Sequence, residues 1–280
     1  MDMKLSIITI NRNNAAGLRK TMESVFTQTY RDFEYIVVDG ASTDDSLDVI
    51  KEYESVHSLN VHSFNFTWLS EPDTGIYNAM NKGLRMSHGE YTLMLNSGDF
   101  LVDEKVLNHI LPELDGTDII QGNLISEKEG NEIVNRGYGK SEIDIFDILK
   151  GNFLHQASFC KKELFEKFGY FDESYRSSAD TKFFMECLGR HDATYRYIDL
   201  DITNYDLTGI SADKSEKWVR CREEELDRII KEVFSKRIYA FMQENDKKVR
   251  LYNELHTHKL IWNITMFLAY VGSKMFNKES

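Results

Sequence analysis

Four times within its first 95 residues or so, the chain places a short apolar run ahead of a stripe of apolar residues at helical spacing. "LSIITI" (5–10) and "FEYIVVD" (33–39) are rich in β-branched residues and show no polar alternation, as strands buried on both faces do. "FTWLSE" (66–71) and "YTLMLN" (91–96) read as the third and fourth strands. Between them, Leu18, Met22, Val25 and Phe26 mark a helix over 15–28. Ser42 or Thr43 is placed to cap a second helix over 44–55, and Ile76, Ala79, Met80, Gly83 and Leu84 stripe a third. Strand alternating with helix predicts an α/β fold: a mainly parallel sheet with helices on its faces.

Ligands of such sheets bind outside the carboxyl ends of the strands. The polar residues at those exits are Thr9, Asn11 and Arg12, then Asp39, then Glu71 and Asp73, then Asp99. Asp99 ends an apolar run in "YTLMLNSGDF", where it reads either as an ordinary Ser-Gly-Asp turn residue or as a metal ligand at a nucleotide site. Four acids on one edge suit a cation and its phosphate ligand.

The formal net charge of −12 argues against a nucleic-acid binder. Three cysteines without metal-type spacing read as a reduced, cytoplasmic protein. The first apolar run is too short for a signal-peptide core, and no segment reaches the roughly 20 apolar residues of a membrane span. After residue 100 the alternation loosens. A hairpin is expected from 118–126 and 131–135, helices near 141–150, 161–168 and 180–190, a strand near 193–200, and charge-rich helix from about Ser211.

"LSIITINRN", "YIVVDGASTDDS", "SEPDTGIYNAMNKGLRMSHGEY" and "LMLNSGD", in that order over residues 4–100, resemble the family-2 inverting glycosyltransferases. Many of these build bacterial surface polysaccharides. The resemblance implies the GT-A type fold, with 1–100 as a nucleotide-sugar half, 101–210 as an acceptor half and 211–280 as a helical extension. It implies a nucleotide diphosphate sugar donor, most simply a UDP-sugar, a glycan or lipid-linked acceptor, and Mn²⁺ or Mg²⁺ as cofactor. Thr9, Asn11, Arg12, Asp39 and Asp73 fall at nucleotide-sugar-binding positions. Asp39 matches the first carboxylate of the family's Asp-Asp-Gly-Ser motif, which accepts from the base, while Gly40 stands where the second belongs. Asp99 matches the last residue of the Asp-x-Asp-like metal motif, and Gly98 replaces another of its aspartates.

For Asp73 a helix-capping role competes with donor binding. Asn81 and Lys82 fall on the polar side of the third helix. The resemblance places the general base at Asp180, in "GYFDESYRSSADTKFF", with Asp172 and Glu173 as alternates and helix capping as the rival role. His155 and Gln156, in "NFLHQASF", match acceptor-side positions, and a core histidine is the alternative for His155.

Basic residues around "LIWNITMFLAYVG" (260–272) suit a helix lying in a membrane interface, so 246–280 is expected to hold the enzyme peripherally at the inner face of the cell membrane; packing on the body or on a second subunit is the alternative. A nicotinamide dehydrogenase is disfavoured because "NRNNAAG", not Gly-x-Gly-x-x-Gly, follows the first strand. A non-catalytic nucleotide-sugar binder of the same fold is the remaining rival.

Overall fold

A computed structural model describes residues 3–59, 64–128, 130–209, 213–236 and 239. The first half alternates as the sequence predicts: β1 (Leu5–Asn11), α1 (Ala15–Phe26), β2 (Glu34–Asp39), α2 (Ser46–Ser58), β3 (Asn65–Ser70), α3 (Ile76–Met86) and β4 (Tyr91–Met94). It continues through β5 (Phe100–Leu101), α4 (Val106–Ile110), β6 (Ile119–Lys128), β7 (Asn131–Asn135), α5 (Ile145–Leu149) and β8 (Ser158–Lys161). Then come α6 (Lys162–Phe168), α7 (Ala179–Arg190), β9 (Tyr195–Asn204) and α8 (Glu216–Val233).

The strand order is β3-β2-β1-β4-β8-β6-β9-β5, with β7 paired to the outside of this path on β6. β1 to β4 run parallel, as their crossover helices require. β8 runs antiparallel between β4 and β6. All seven residues of β1 and all six of β2 are buried, which is why both read as unbroken apolar runs. β3, on the sheet edge, alternates instead.

Two compact units divide the chain, Met1–Ile229 and Ile230–Ser280; the second is described only at 230–236 and 239. The tail segment 246–280 lies outside the described residues. Among those residues no helix is long and apolar enough to cross a membrane.

Two packing details fix the site. Gly83 lets α3 approach the sheet closely, since a Cβ there would stand 2.3 Å from Cγ2 of Ile8. Asn81, expected on a polar face, is instead 1% exposed. Its amide donates to the Phe171 carbonyl at 2.9 Å and accepts from the Phe171 N–H at 3.0 Å. This clamp, with Phe165 stacked on Phe183 at 4.2 Å and Tyr77 against Phe171 at 5.7 Å, sets α6 and α7 beside α3.

Candidate active site

Asn11, Asp39 and Ser70 stand opposite one another at the carboxyl ends of β1, β2 and β3. The row explains the first surprise, that Asp39 has no exposed surface at all. Its Oδ1 accepts from Asn11 Nδ2 at 2.9 Å and Ser42 Oγ at 2.5 Å. Its Oδ2 accepts from the Ser42 N–H at 2.9 Å and Ser70 Oγ at 2.7 Å. Burial works to raise its pKa, and the bonds from Ser42, Asn11 and Ser70 overcome that and hold it below the usual carboxylate range. Four donors fill a carboxylate's four acceptor positions, so a base N–H would have to displace one of them. Thr9 is likewise sealed in the sheet: its hydroxyl donates to the Leu95 carbonyl at 2.8 Å and accepts from Tyr35 at 3.0 Å. Neither side chain is among those that line the cleft at the strand ends. Both brace the strands whose exits do.

Past β4 the chain turns at Asn96–Asp99, with the Asp99 N–H bonded to the Asn96 carbonyl. Thr21 of α1 holds this turn, its hydroxyl donating to the Asp99 carbonyl at 2.6 Å and accepting from the Gly98 N–H at 2.9 Å. Gly98 has φ +108°, open to glycine but strained for other residues. A Cβ at Gly98 would also stand 2.6 Å from Oδ2 of Asp206. Asp206 arrives because β9 pairs with β5, Asn204 opposite Phe100, and its N–H donates to Asp99 Oδ1 at 2.9 Å. Asp99 is 3% exposed. Burial pushes its carboxyl up to about 7, against the Asp206 N–H and the nearby His155, while the Asp206 charge adds to the rise.

Asp73 lies in the turn before α3, its side chain 5% exposed, and caps that turn through the Gly75 N–H at 3.0 Å. Its Oδ1 is 3.5 Å from the exposed Arg12 guanidinium. Its Oδ2 occupies the space beside Gly40, where a Cβ would stand only 2.1 Å away. Glu71 turns aside to pair with Lys82 at 2.8 Å.

Asp180 is in the first turn of α7, behind the N-cap Ser178. Its Oδ1 accepts from the Tyr77 hydroxyl at 3.0 Å, and its Oδ2 is 2.7 Å from His155 Nδ1. Burial works to raise its pKa, and His155 and Tyr77 outweigh it, leaving the carboxyl below its ordinary value. His155 reaches this edge because β8 runs antiparallel to β4, so the residues just before β8 emerge where β4 ends. His155 Nε2 is 3.4 Å from Asn96 Nδ2. The alternates Asp172 and Glu173 are held elsewhere, by Lys182 and by Asn78 and Asn81.

A cleft of about 690 Å³ opens at the strand ends, lined by Asn11 to Asn14, Asp73, Gly75, Asn96, Ser97, Asp99, Gln156, Asp206 and neighbours. The structure thus gathers Asn11, Arg12, Asp73, Asp99 and Gln156 on one cleft, with Asp180 linked to its wall through His155 and Asn96. The sequence reading missed Asp206, Tyr77 and the full role of Asn96. β5 is too short to announce the pairing that brings Asp206 in. Titratable side chains on the lining are Arg12 against Asp73, Asp99 and Asp206, an acidic cleft. Among the described residues no three carboxylate, imidazole or thiolate groups converge as a protein-only metal site. Mg²⁺ and Mn²⁺ bridging a diphosphate need only one or two carboxylates, which Asp99 and Asp206 fit.

The family model for glycosyl transferase family 2 matches residues 6–170. A PGL/p-HBAD biosynthesis glycosyltransferase of Mycobacterium tuberculosis is 30% identical over 209 residues, 73% of this chain and 77% of that protein. A GalNAc(5)-diNAcBac-PP-undecaprenol beta-1,3-glucosyltransferase of Campylobacter jejuni is 29% identical over 181 residues, 63% of this chain and 57% of that one. Among solved structures, S. aureus TarS 1–349 in complex with UDP-GlcNAc aligns with a TM-score of 0.64 at 18% identity, covering 85% of this chain and 69% of that one. The mannosyltransferase PcManGT from Pyrobaculum calidifontis, in complex with GDP-Man and Mn²⁺, aligns at 0.58 and 17% identity, covering 81% and 63%. The fold is that of GT-A glycosyltransferases.

Proposed function

The chain belongs to glycosyl transferase family 2, and from that membership we propose that it moves a sugar, with inversion, from a nucleotide diphosphate sugar to a hydroxyl of a glycan or lipid-linked acceptor. The observation that carries the reading is the charge of the cleft at the strand ends. Three carboxyl groups face one arginine there, and once Asp99, which ionises near 7, has lost its proton, a diphosphate is repelled unless a divalent cation comes between. The nucleotide-sugar and Mn²⁺ complexes of the fold neighbours, and the undecaprenol-linked acceptor in the name of the Campylobacter relative, support the donor, cofactor and acceptor classes.

Asp99 and Asp206 would hold the cation, which supplies Lewis-acid stabilisation of the departing diphosphate when bound. Arg12, at the rim with its side chain 61% exposed, can leave Asp73 for a phosphate oxygen. Asp73 Oδ2 is the open acceptor for a uracil N–H, taking the part that the satisfied Asp39 leaves. The amides of Asn11, Asn13, Asn14 and Asn96 offer the paired donors and acceptors that sugar hydroxyls require. Asp39 fixes Asn11 among them. Removal of the acceptor proton belongs to the Asp180–His155 pair beyond Asn96. The basic, aromatic tail supports peripheral attachment at the inner membrane face, where a lipid-linked acceptor would be met.

The test is a panel of nucleotide sugars measured with Mn²⁺, Mg²⁺ and chelator. One UDP-sugar should bind tightly with metal and turn over. Metal-independent binding, or binding with no turnover on any acceptor, would favour a nucleotide-sugar binder of the same fold.

A further inference from the structure

We propose that Gln156 reads the donor sugar, and that the sugar it takes is an uncharged pyranose, recognised through hydroxyls rather than a carboxylate. The inference rests on the glycosyl-transfer reading and names the sugar class within it.

Gln156 is 6% exposed and lines the cleft. A buried amide ordinarily finds its hydrogen-bond partners within the protein. Among the described residues nothing bonds to the Gln156 side chain, and neither its nitrogen nor its oxygen is sealed from the cleft. The other amides of the lining commit part of themselves to the fold. Asn11 donates to Asp39, Asn13 accepts from the Thr43 N–H, Asn14 caps α1 through the Gly17 N–H, and Asn96 faces His155. Gln156 keeps both a donor and an acceptor for what enters the cleft. A sugar hydroxyl, which also donates and accepts, suits such an amide.

The backbone beneath it is fixed. His155–Ala157 form a single helical turn ahead of β8. The Gln156 carbonyl accepts from the Thr203 hydroxyl of β9 at 2.7 Å, and the Ala157 N–H donates to the Leu154 carbonyl at 3.0 Å. On the other side His155 is tied to Asp180 of α7. An amide carried on so braced a turn selects by position.

Strand order assigns the parts of the ligand. β1, β4 and β8 are consecutive in the sheet. Arg12 follows β1, Asp99 follows β4, and Gln156 precedes the antiparallel β8. Gln156 therefore emerges one strand beyond Asp99, on the side away from Arg12 and Asp73. Neighbouring strands are roughly 5 Å apart, about the width of a pyranose ring. With the nucleoside toward β1 and the diphosphate at Asp99 and Asp206, the sugar comes to Gln156. Asp180, held by His155, is on that side too, where an acceptor must meet the anomeric carbon.

Charge gives the class. Among the described lining residues the one cationic side chain is Arg12, drawn to Asp73 on the far side. A uronic acid would bring its carboxylate to amides, with Asp99 and Asp206 nearby and no cationic side chain to pair with it. A neutral sugar meets no such penalty.

The experiment uses the full chain with Mn²⁺ and no acceptor, so an acceptor contact cannot produce the effect. Calorimetry gives Kd for UDP alone and for UDP-glucose, UDP-galactose, UDP-N-acetylglucosamine and UDP-glucuronate. In the wild type one neutral sugar should bind about tenfold tighter than UDP-glucuronate. Gln156→Ala and the near-isosteric Gln156→Met should each raise the Kd of that sugar about tenfold and leave that of UDP within about twofold. Thermal midpoints identify a variant that has lost its fold. Sugar and UDP weakened equally in folded variants, or the sugar unaffected, overturns the role of Gln156. UDP-glucuronate bound as tightly as the neutral sugars overturns the sugar class, and that comparison needs no variant. A wild-type protein that binds neither UDP nor any of these sugars would instead fail the underlying reading.

Discussion

The Asp73 carboxylate fills the space that any side chain at Gly40 would need, its Oδ2 lying 2.1 Å from where a Cβ would stand. The missing second carboxylate of the strand-two motif is thus matched by an acid that swings in from the next loop. Gly40→Ala should push Asp73 out of place and weaken UDP binding about tenfold or more, with the fold intact. In an Asp73→Ala background the same change should cost almost nothing further, as expected for two residues competing for one volume. Calorimetric titration with UDP across the four proteins checks it. Equal losses in both backgrounds would sink the link.

Asp206 stands to Gly98 as Asp73 does to Gly40. Asp206→Asn is expected to lower Mn²⁺ affinity at least tenfold, and Asp99→Asn to lower it further, because each removes a hard anionic oxygen. Mn²⁺ paramagnetic resonance in the presence of UDP reads this without requiring turnover. Unchanged Mn²⁺ binding in Asp206→Asn would remove that residue from the cation site.

Metal-free protein should lose stability as pH rises from about 4 to about 7. The Asp99 carboxyl titrates near 7 in the folded chain, chiefly because it is buried, and near 3.8 when unfolded. Between those values the native state holds a proton that the unfolded state has released, so folding weakens with rising pH, by up to about 4 kcal/mol at 1.36 kcal/mol per unit. Asp99→Asn should flatten this slope in urea melts taken across that range, and Mn²⁺ with UDP should flatten it in the wild type.

Asn81→Leu strands the N–H and carbonyl of Phe171 in the interior. A loss of about 1–3 kcal/mol is expected, with turnover falling more than UDP affinity because α7 carries Asp180. Urea unfolding and donor titration separate the two effects. A variant as stable as the wild type would show that the clamp contributes nothing.

Removing 246–280 should release the protein from anionic vesicles, read by co-sedimentation with phosphatidylglycerol liposomes at low and high salt. Equal pelleting of full-length and shortened chains would exclude the tail as the attachment.

The first hundred residues were legible because burial on both faces writes strands as unbroken apolar runs, as in "LSIITI" and "FEYIVVD". Asp73, Asp99, Asn11 and Arg12 came out on the cleft for a related reason, since strand exits are places the pattern marks, whereas Gln156, which precedes β8, was reached only through the family resemblance. Thr9 and Asp39 were placed correctly along the chain, but a sequence does not say which polar side chains spend their hydrogen bonds on each other. Asn81 misled because a single amide can be wholly buried when it replaces two backbone partners at once. Asp206 had no signal at all. It depends on a two-residue strand, Phe100–Leu101, pairing with Asn204 and Thr203 about a hundred residues later.

Because β8 runs against β4, the strand-end cleft recruits residues that precede a strand as well as residues that follow one. The connection ahead of β8, from β7 through α5 to His155, can therefore lengthen or change composition while the four parallel strands keep their register. On the proposed function, such a layout divides labour: the side of the cleft built ahead of β8 can be rebuilt for a new partner without disturbing the side built by the parallel strands.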